Sequence, residues 1–288
     1  MSVGIMITYY NPDNGAVKQL ESIFNKVDKI CIVDNSSPSV SEKNKQMIAS
    51  FDNIEYIPLN ENRGIGAAQN IGAAYLFEIV DHLIFLDQDS LPASDMVDQL
   101  TSSLNVLQNG GIKVGGIGPQ AINKWTKEPY KAKIRKGSYV LSGEKILEVS
   151  EIISSGTIVS KQIWQEVGGI DEALFIDGVD HEWCWRATAK GGYRFFINEN
   201  AHLEHSLGEG DKKILGIFSL KVPSPIRCYY QYRNYFILSR RSYVPLYWKF
   251  MNGIKYSFKM ICYPLFLSEK RAYIKYIVKG IKEGIKGK

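Results

Sequence analysis

The chain has 288 residues, 45% of them hydrophobic and 23% charged, a globular mixture that excludes a disordered or fibrous protein. Its net charge of +5 lies at one end: residues 269–288 hold seven Lys/Arg against two Glu, so the other 268 residues sum to zero. A neutral body without a recognisable nucleic-acid-binding motif argues against a nucleic-acid partner.

In chain order, the first ninety residues alternate strand-like and helix-like segments. Gly4–Tyr9 reads as a strand, Ala16–Asn25 as a helix, Lys29–Val33 as a strand, Ser41–Ser50 as a helix and Ile54–Pro58 as a strand. An alanine-rich helix over Ile65–Val80 leads to the buried strand Leu83–Leu86. Such alternation predicts a mostly parallel sheet covered by helices on both faces. A helix over Ala93–Gln108 precedes the Gly-rich and basic stretches Gly110–Gly118 and Lys124–Lys136, which read as loops and short antiparallel strands. Strand Ile152–Ser160, helix Lys161–Val167 and a helix over Gly178–Lys190 follow, the helices closed by double glycines. From Ser206 onward the pattern is helical, aromatic and basic.

Cys31, Cys184, Cys228 and Cys262 form no CxxC pair, which suits a reduced cytosolic chain without a zinc knuckle or disulfide framework. The opening VGIMITYY has no basic lead, so no signal peptide is expected. Lys249, Lys255 and Lys259 interrupt the apolar Pro245–Leu267 stretch, so no membrane span is expected there.

The most informative residues are Asp87-Gln88-Asp89, two carboxylates one residue apart where a buried strand ends. Strand ends at the carboxyl edge of an α/β sheet bind ligands, and paired hard oxygen donors suit a divalent cation shared with phosphates. The plainer alternative is a turn in which Asp89 caps the next helix. Thr8 to Asp13 (TYYNPD) and Asp34 to Ser37, in VDNSS, end earlier strands in the same way, and a carboxylate such as Asp34 can accept from a pyrimidine imide. Asn60 to Asn70 places small residues at a helix start, where a backbone can approach an anion. Gln69 stands where a dinucleotide fingerprint needs its third glycine, which disfavours a nicotinamide oxidoreductase.

Farther on, Asp177 fits an N-cap and Asp180 the third helical position, which is a capping role or that of a general base. His202 and His205 lie three residues apart, and one His added to Asp87 and Asp89 makes a mixed oxygen–nitrogen cation site. Arg227 and Arg233 stand among tyrosines, either to recognise phosphate or simply to pack. In the tail, Ile274, Ile277, Val278, Ile281 and Ile285 form an apolar stripe beside Lys275, Lys279, Lys282 and Lys286. That pattern suits an anionic membrane surface or a helix docked on the core, and Gly280 and Gly284 weaken the helix.

Taken in order, ITYYNP, IVDNSS, NENRGIGAAQNIG, FLDQDS, SSGTIVSKQIWQEVGGIDEALFIDGVDHEWCWR and HLEHSLG resemble the GT-A fold glycosyltransferases of family 2. Among these, bacterial rhamnosyltransferases that elongate cell-surface polysaccharides are the nearest in pattern. The resemblance implies an α/β fold with a mixed sheet and flanking helices over residues 1–205, its nucleotide half to about residue 90 and its acceptor half beyond. A helical, basic extension over 206–288 follows.

By position, Thr8, Tyr10, Asn11, Asp34, Asn62, Gly64, Asn70, Asp87, Gln88 and Arg233 are implied to meet the nucleotide. Asp87 and Asp89 match the DxD motif, and with His205 are implied to hold Mn²⁺ or Mg²⁺. Asp180 and Glu182 compete for the general base, Asp180 being preferred. The implied reaction inverts the sugar carbon, moving L-rhamnose from dTDP-β-L-rhamnose to a hydroxyl of a polyprenyl-diphosphate-linked precursor at the inner face of a bacterial membrane. The resemblance leaves room for a homodimer. Rival readings are a transferase using another UDP- or dTDP-hexose, and a non-catalytic carbohydrate- or membrane-binding module on the same scaffold.

Overall fold

Four short apolar runs near the N-terminus bury both of their faces, and this sets the architecture. The computed structural model describes residues 1–130, 135–141, 144–205, 211–214, 218–221, 223–267 and 269–287. The loop expectation over 131–134 and the Ser206-Leu207-Gly208 end of the HLEHSLG motif lie outside them. In the first part, β1 (Val3–Tyr9), α1 (Gly15–Ile23), β2 (Lys29–Asp34), α2 (Pro38–Met47), β3 (Ile54–Pro58), α3 (Gly64–Leu76) and β4 (His82–Asp87) alternate as the sequence predicts. Then come β5 (Leu91–Pro92), α4 (Met96–Asn109), β6 (Val114–Asn123), β7 (Arg135–Leu141), β8 (Glu144–Val149) and β9 (Ile158–Ser160). These lead to α5 (Lys161–Val167), a 3₁₀ turn at Glu172–Leu174, α6 (Val179–Gly191) and β10 (Arg194–His205). Strands β11 (Asp211–Ile214) and β12 (Phe218–Lys221) precede α7 (Pro225–Ser239), α8 (Leu246–Phe266) and α9 (Lys270–Lys286).

One sheet runs in the order β3-β2-β1-β4-β9-β6-β10-β8-β7, with β5 added to β10. The first four strands pair in parallel. The rest is mixed: β9 runs antiparallel to β4 and β6, β6 and β10 are parallel, and β8 and β7 run antiparallel beside β10. Successive residues of a strand face opposite sides, so Met6 joins one core with α3 while Ile5, Ile7 and Tyr9 join the other with α1 and α4. Helices on both faces explain why these strands are apolar throughout.

Three expectations shift. Where Gly110–Gly118 was expected to form loop and short antiparallel strands, the ten-residue β6 begins within it and runs parallel to β10 inside the sheet. The strand expected over Ile152–Ser160 is regular only in its last three residues. Antiparallel β11 and β12, paired from Asp211–Lys221 to Ile214–Phe218, stand where helix was expected.

The C-terminal helices pack on one another around Tyr232, Tyr263, Tyr273 and Ile277. Gly280 and Gly284, read from sequence as weak points of the tail helix, are its contact surface with α7. A Cβ at Gly280 would lie 2.5 Å from the Tyr229 carbonyl oxygen, and one at Gly284 would lie 2.7 Å from that of Arg233. Backbone cannot move aside as a flexible side chain can. Gly280→Val should therefore cost about 1–3 kcal/mol through overpacking. A lowered thermal midpoint checks this; an unchanged midpoint would mean that α9 is not docked as described.

Lys259 on α8 is buried, its ammonium 5.9 Å from the Tyr256 ring centre and 5.6 Å from that of Tyr263. Burial, aided by the Lys255 charge, pulls its pKa down from 10.5 to about 8. Below about pH 8 the folded and unfolded states both hold the proton, so the whole cost of the buried charge is present. Between about pH 8 and 10.5 the folded state loses its proton first, and that cost fades. Lys259→Met should thus raise the melting temperature at pH 7 and lose much of that advantage at pH 9.5, as melts at the two pH values would read.

Candidate active site

The register of the parallel strands brings Thr8 level with Asp87, and Tyr9 level with Asp34, at the carboxyl edge of the sheet. Asp89 and Ser90 leave that edge, and Leu91–Pro92 then pair antiparallel with Leu203–Glu204. This two-residue clip carries Asp89 to the end of β10, where a register shift between Asn198 and His202 precedes His205. One ligand atom from each of Asp87, Asp89 and His205 lies within 4.8 Å of the others. His205 Nδ1 is 3.4 Å from Asp89 Oδ1, and Nε2 is 3.9 Å from Asp87 Oδ2.

Neutral groups hold the cluster in place. Gln19 donates to the carbonyls of Asp87 at 2.7 Å and Ser90 at 2.5 Å. The Ser90 hydroxyl meets His205 Nδ1 at 2.8 Å and the Ser155 hydroxyl at 2.7 Å, and Asp87 N–H donates to Ser155 Oγ at 3.1 Å. Desolvation, with the charges of Asp89 and Asp180, pushes the Asp87 carboxyl up to about 6 against the pull of His205. Burial also opposes charge on Asp89, but the hydrogen bond and charge of His205 prevail and hold its carboxyl below the usual range. Burial favours a neutral His205, yet Asp89 and Asp87 outweigh it and raise its pKa. Two carboxylates and an imidazole form a donor set that fits a divalent cation.

Beside the cluster is a cleft of about 190 Å³, lined by Thr8, Tyr10, Asn62, Gly64, Asp87 and Gln88 among the expected residues, and by Asn35, Ile65, Phe175 and Ile176. Gln88 fastens the ends of β1 and β4: its Oε1 accepts from Tyr10 N–H at 2.7 Å and its Nε2 donates to Tyr10 O at 3.1 Å. Asn11 N–H donates to Ser36 Oγ at 2.8 Å. Asn35 braces the Asn62–Gly64 turn from below, accepting from Arg63 N–H at 3.0 Å and donating to Gly64 O at 3.2 Å. Gly64 has φ +86°, and a Cβ there would lie 2.6 Å from Phe175 O, so only glycine lets these segments meet.

Some expected contacts go elsewhere. Asp34 is fully buried, its carboxylate accepting from Ser36 N–H and Asn44 at 2.7 Å and from Tyr56 OH at 2.6 Å. It organises the VDNSS turn and does not line the cleft. Asn70 ties α3 to the 170–172 segment, donating to Ile170 O and Glu172 and accepting from Ile170 N–H. Arg233 is buried in α7, donating to Ala173 O and to Asn234 Oδ1, with its guanidinium over the Tyr230 ring.

Asp180 and Glu182 separate cleanly. Asp180, in the first turn of α6, accepts from Ser154 N–H through Oδ2 at 3.2 Å, and its charge reaches Asp87 and His205. Glu182 has no exposed surface. Arg186 holds it at 2.9 and 3.0 Å, Arg241 is 2.9 Å away, and Tyr243 OH donates to it. It is a structural anion on the far side of the helix from the cleft.

Several groups that shape the site were missed from sequence: Gln19, Asn35, Ser90, Ser154, Ser155 and Asn234. Isolated amides and hydroxyls carry no spacing signal, and their partners are distant in the chain. Only Asn35 and Ser90 had a cue, since each adjoins a carboxylate at a strand end.

A family model described as Glycosyl transferase family 2 matches residues 4–159. Over 296 aligned residues the chain is 32% identical to the dTDP-rhamnosyl transferase RfbF of Shigella flexneri, covering 98% of this chain and 95% of that one. The fold is similar to GalNAc-T7, solved with UDP, GalNAc and Mn2+, at TM-score 0.57 and 14% identity; the match covers 92% of this chain and 57% of that one. It is also similar to S. aureus TarS 1-349 in complex with UDP, at TM-score 0.57 and 12% identity, over 99% of this chain and 81% of that one. At such identities the structural likeness is one of fold.

The contrast between the two α6 acids can be measured. Glu182→Ala removes a fully buried carboxylate, leaves Arg186 without its anion and Arg241 with Asp171 alone, and should cost about 3–5 kcal/mol. Asp180→Ala removes one accepted hydrogen bond and should cost about 1 kcal/mol. Urea unfolding of the two variants tests this ordering, and equal losses would contradict it.

Proposed function

The chain belongs to glycosyl transferase family 2, and we propose that it moves L-rhamnose from dTDP-β-L-rhamnose to a hydroxyl of a lipid-linked saccharide with inversion. The observation that carries this reading is the convergence of Asp87, Asp89 and His205 beside a cleft, with Asp180 within electrostatic reach. In the proposal Asp87, Asp89 and His205 hold Mn²⁺ or Mg²⁺. Such a cation, when bound, neutralises charge on the departing nucleotide diphosphate.

The residues divide the remaining work. Thr8, Tyr10, Asn62 and Gly64 bound the space for the nucleotide, and Gln88 and Asn35 keep its walls fixed. The Ser154 N–H engages one oxygen of Asp180, and the other has no hydrogen-bond partner among the described residues. That oxygen takes the proton of the acceptor hydroxyl. The hydroxyl oxygen bonds to the sugar's anomeric carbon from the face opposite the diphosphate as the carbon–oxygen bond to phosphate breaks. The proton ends on Asp180, the electron pair leaves with dTDP, and a β-donor yields an α-linkage. Rhamnose as donor rests on likeness to RfbF, since nothing in the cleft singles out a 6-deoxy sugar.

Peripheral contact with an anionic membrane belongs to the same proposal. Among the described residues no helix is long and apolar enough to cross a membrane. The outward face of α8 exposes Leu246, Phe250, Ile254, Phe258 and Ile261. Residues 246–288 also carry ten Lys/Arg against two Glu, a surplus suited to anionic lipid. The expected stripe on α9 divides: Ile277 is buried in the helical core with Ile281 packed against it, while Ile274, Val278 and Ile285 face outward.

Calorimetry with dTDP and UDP, with and without Mn²⁺ or Mg²⁺, tests the reading. Metal-dependent binding of dTDP is expected, and Asp89→Ala should abolish the metal dependence. Asp180→Asn should keep that binding while turnover falls by about 10²–10⁴-fold, the usual contribution of a general base. Absence of metal-dependent nucleotide binding in the wild-type protein would overturn the proposal.

A further inference from the structure

A second cavity lies outside the cleft, with a lining that shares no residue with it. It measures about 540 Å³, within the range of small-ligand sites, and opens between the start of α6 and helices α7 and α8. We propose that it binds the saccharide of the acceptor; this rests on the transferase reading and names that reaction's second substrate site.

Its lining matches an uncharged polyol. Tyr235, Trp248 and Tyr256 form a continuous aromatic wall: Tyr235 meets Tyr256 edge-on at 5.4 Å and Trp248 at 6.0 Å. The π faces of such rings carry negative charge and attract the polarised C–H groups of a pyranose. Gln231 lines the space, and its buried Oε1 has no hydrogen-bond partner among the described residues, so rotation of its amide toward the cavity would let a hydroxyl donor satisfy it. Glu151, Asp177 and Lys255 also line the space; Arg227 pairs with Asp177, so the wall has charges of both signs and no cluster of cations that would hold a diphosphate. A purely apolar occupant would leave Gln231 Oε1 without a partner.

Position supports the same assignment. Gly178 and His181 line the cavity and flank Asp180 in the first turn of α6. Asp177, in the same wall, holds Arg227 at 3.0 Å, and the two residues before it, Phe175 and Ile176, line the cleft. Tyr247 and Met251 belong both to the cavity lining and to the exposed surface of α8, so a lipid-linked sugar can enter with its chain along α8.

The probes are octyl glycosides of glucose, galactose, rhamnose and N-acetylglucosamine, followed by tryptophan fluorescence and ligand-observed NMR. At least one should bind, and Gln231→Ala should weaken it by about tenfold, the effect of one lost buried hydrogen bond. Asn252→Trp, which fills the space, should abolish it. Calorimetry of dTDP with Mn²⁺ on the same proteins should show unchanged affinity. Glycoside binding that neither variant alters would overturn the proposal, as would absence of glycoside binding beside intact dTDP binding. Failure of metal-dependent dTDP binding would instead overturn the transferase reading, and the acceptor role with it.

Discussion

Two carboxylates one residue apart repel one another, and the rest of the site depends on how the chain keeps them together near a histidine. In sheet order β4, which ends in Asp87, and β10, which ends in His205, are separated by β9 and β6. Three strand spacings amount to about 14 Å, too far for a shared ligand set. The chain closes that gap by leaving the sheet at Asp87 and pairing Leu91–Pro92 with β10 two residues after Asp89. Gln19 fixes the turn from α1 by holding two of its carbonyls, and Ser90 and Ser155 link its side to His205 and to Asp87 N–H. All of these are neutral donors and acceptors, so they hold the acids without cancelling the charge that a cation would meet.

A second constraint comes from the C-terminal helices. Phe175 and Asp177 have φ +64° and +47°, a left-handed conformation that costs non-glycine residues energy, of order 1–3 kcal/mol each. Helix α7 and the turn after it hold this segment. Asn234 reaches the carbonyls of Leu174, Ile176 and Asp177 at 2.8, 2.8 and 2.9 Å, Arg227 pairs with Asp177, and Arg241 pairs with Asp171. The cationic and amide groups of RCYYQYRN thus fix the entry to α6. An arginine and an asparagine spaced along an aromatic helix cannot reveal from sequence whether they face a phosphate or a strained loop.

That limit marks how much was legible beforehand. The alternation of β1 to β4 with helices was readable because β1, β2 and β4 are apolar and α1 is periodic, so local pattern agrees with global burial there. Asp87 and Asp89 were readable because a buried run ends in them, whereas His205 was told from His202 only by the likeness to the family. Strand β6 was hidden because Gly115, Gly116 and Gly118 weaken its signal, although Phe195, Thr157 and Ile152 pack directly on those glycines. A polar residue at an element's end reads as a ligand contact, and spacing does not reveal that Asp34 also accepts from Ser36, Asn44 and Tyr56 or that Asn70 ties α3 to the 170–172 segment. Glu182 could not be told from Asp180 by spacing alone, since its partners Arg241 and Tyr243 come from a distant segment.

The same strained loop ties the two proposed substrate sites together. Phe175 and Ile176 line the donor cleft, while Asp177 and Gly178 line the aromatic cavity. The loop leads into the turn of α6 that carries Asp180, whose charge is felt at Asp87 on one side while its neighbour His181 faces the cavity on the other. A proton acceptor placed there meets the general requirement of an inverting displacement, in which nucleophile and leaving group approach one carbon from opposite faces. The rigidity of the loop then has a chemical purpose. Any slackening of the α7 contacts would move Asp180 relative to the acids at the sheet edge, and misplacement of about 1 Å is enough to cost a large factor in rate.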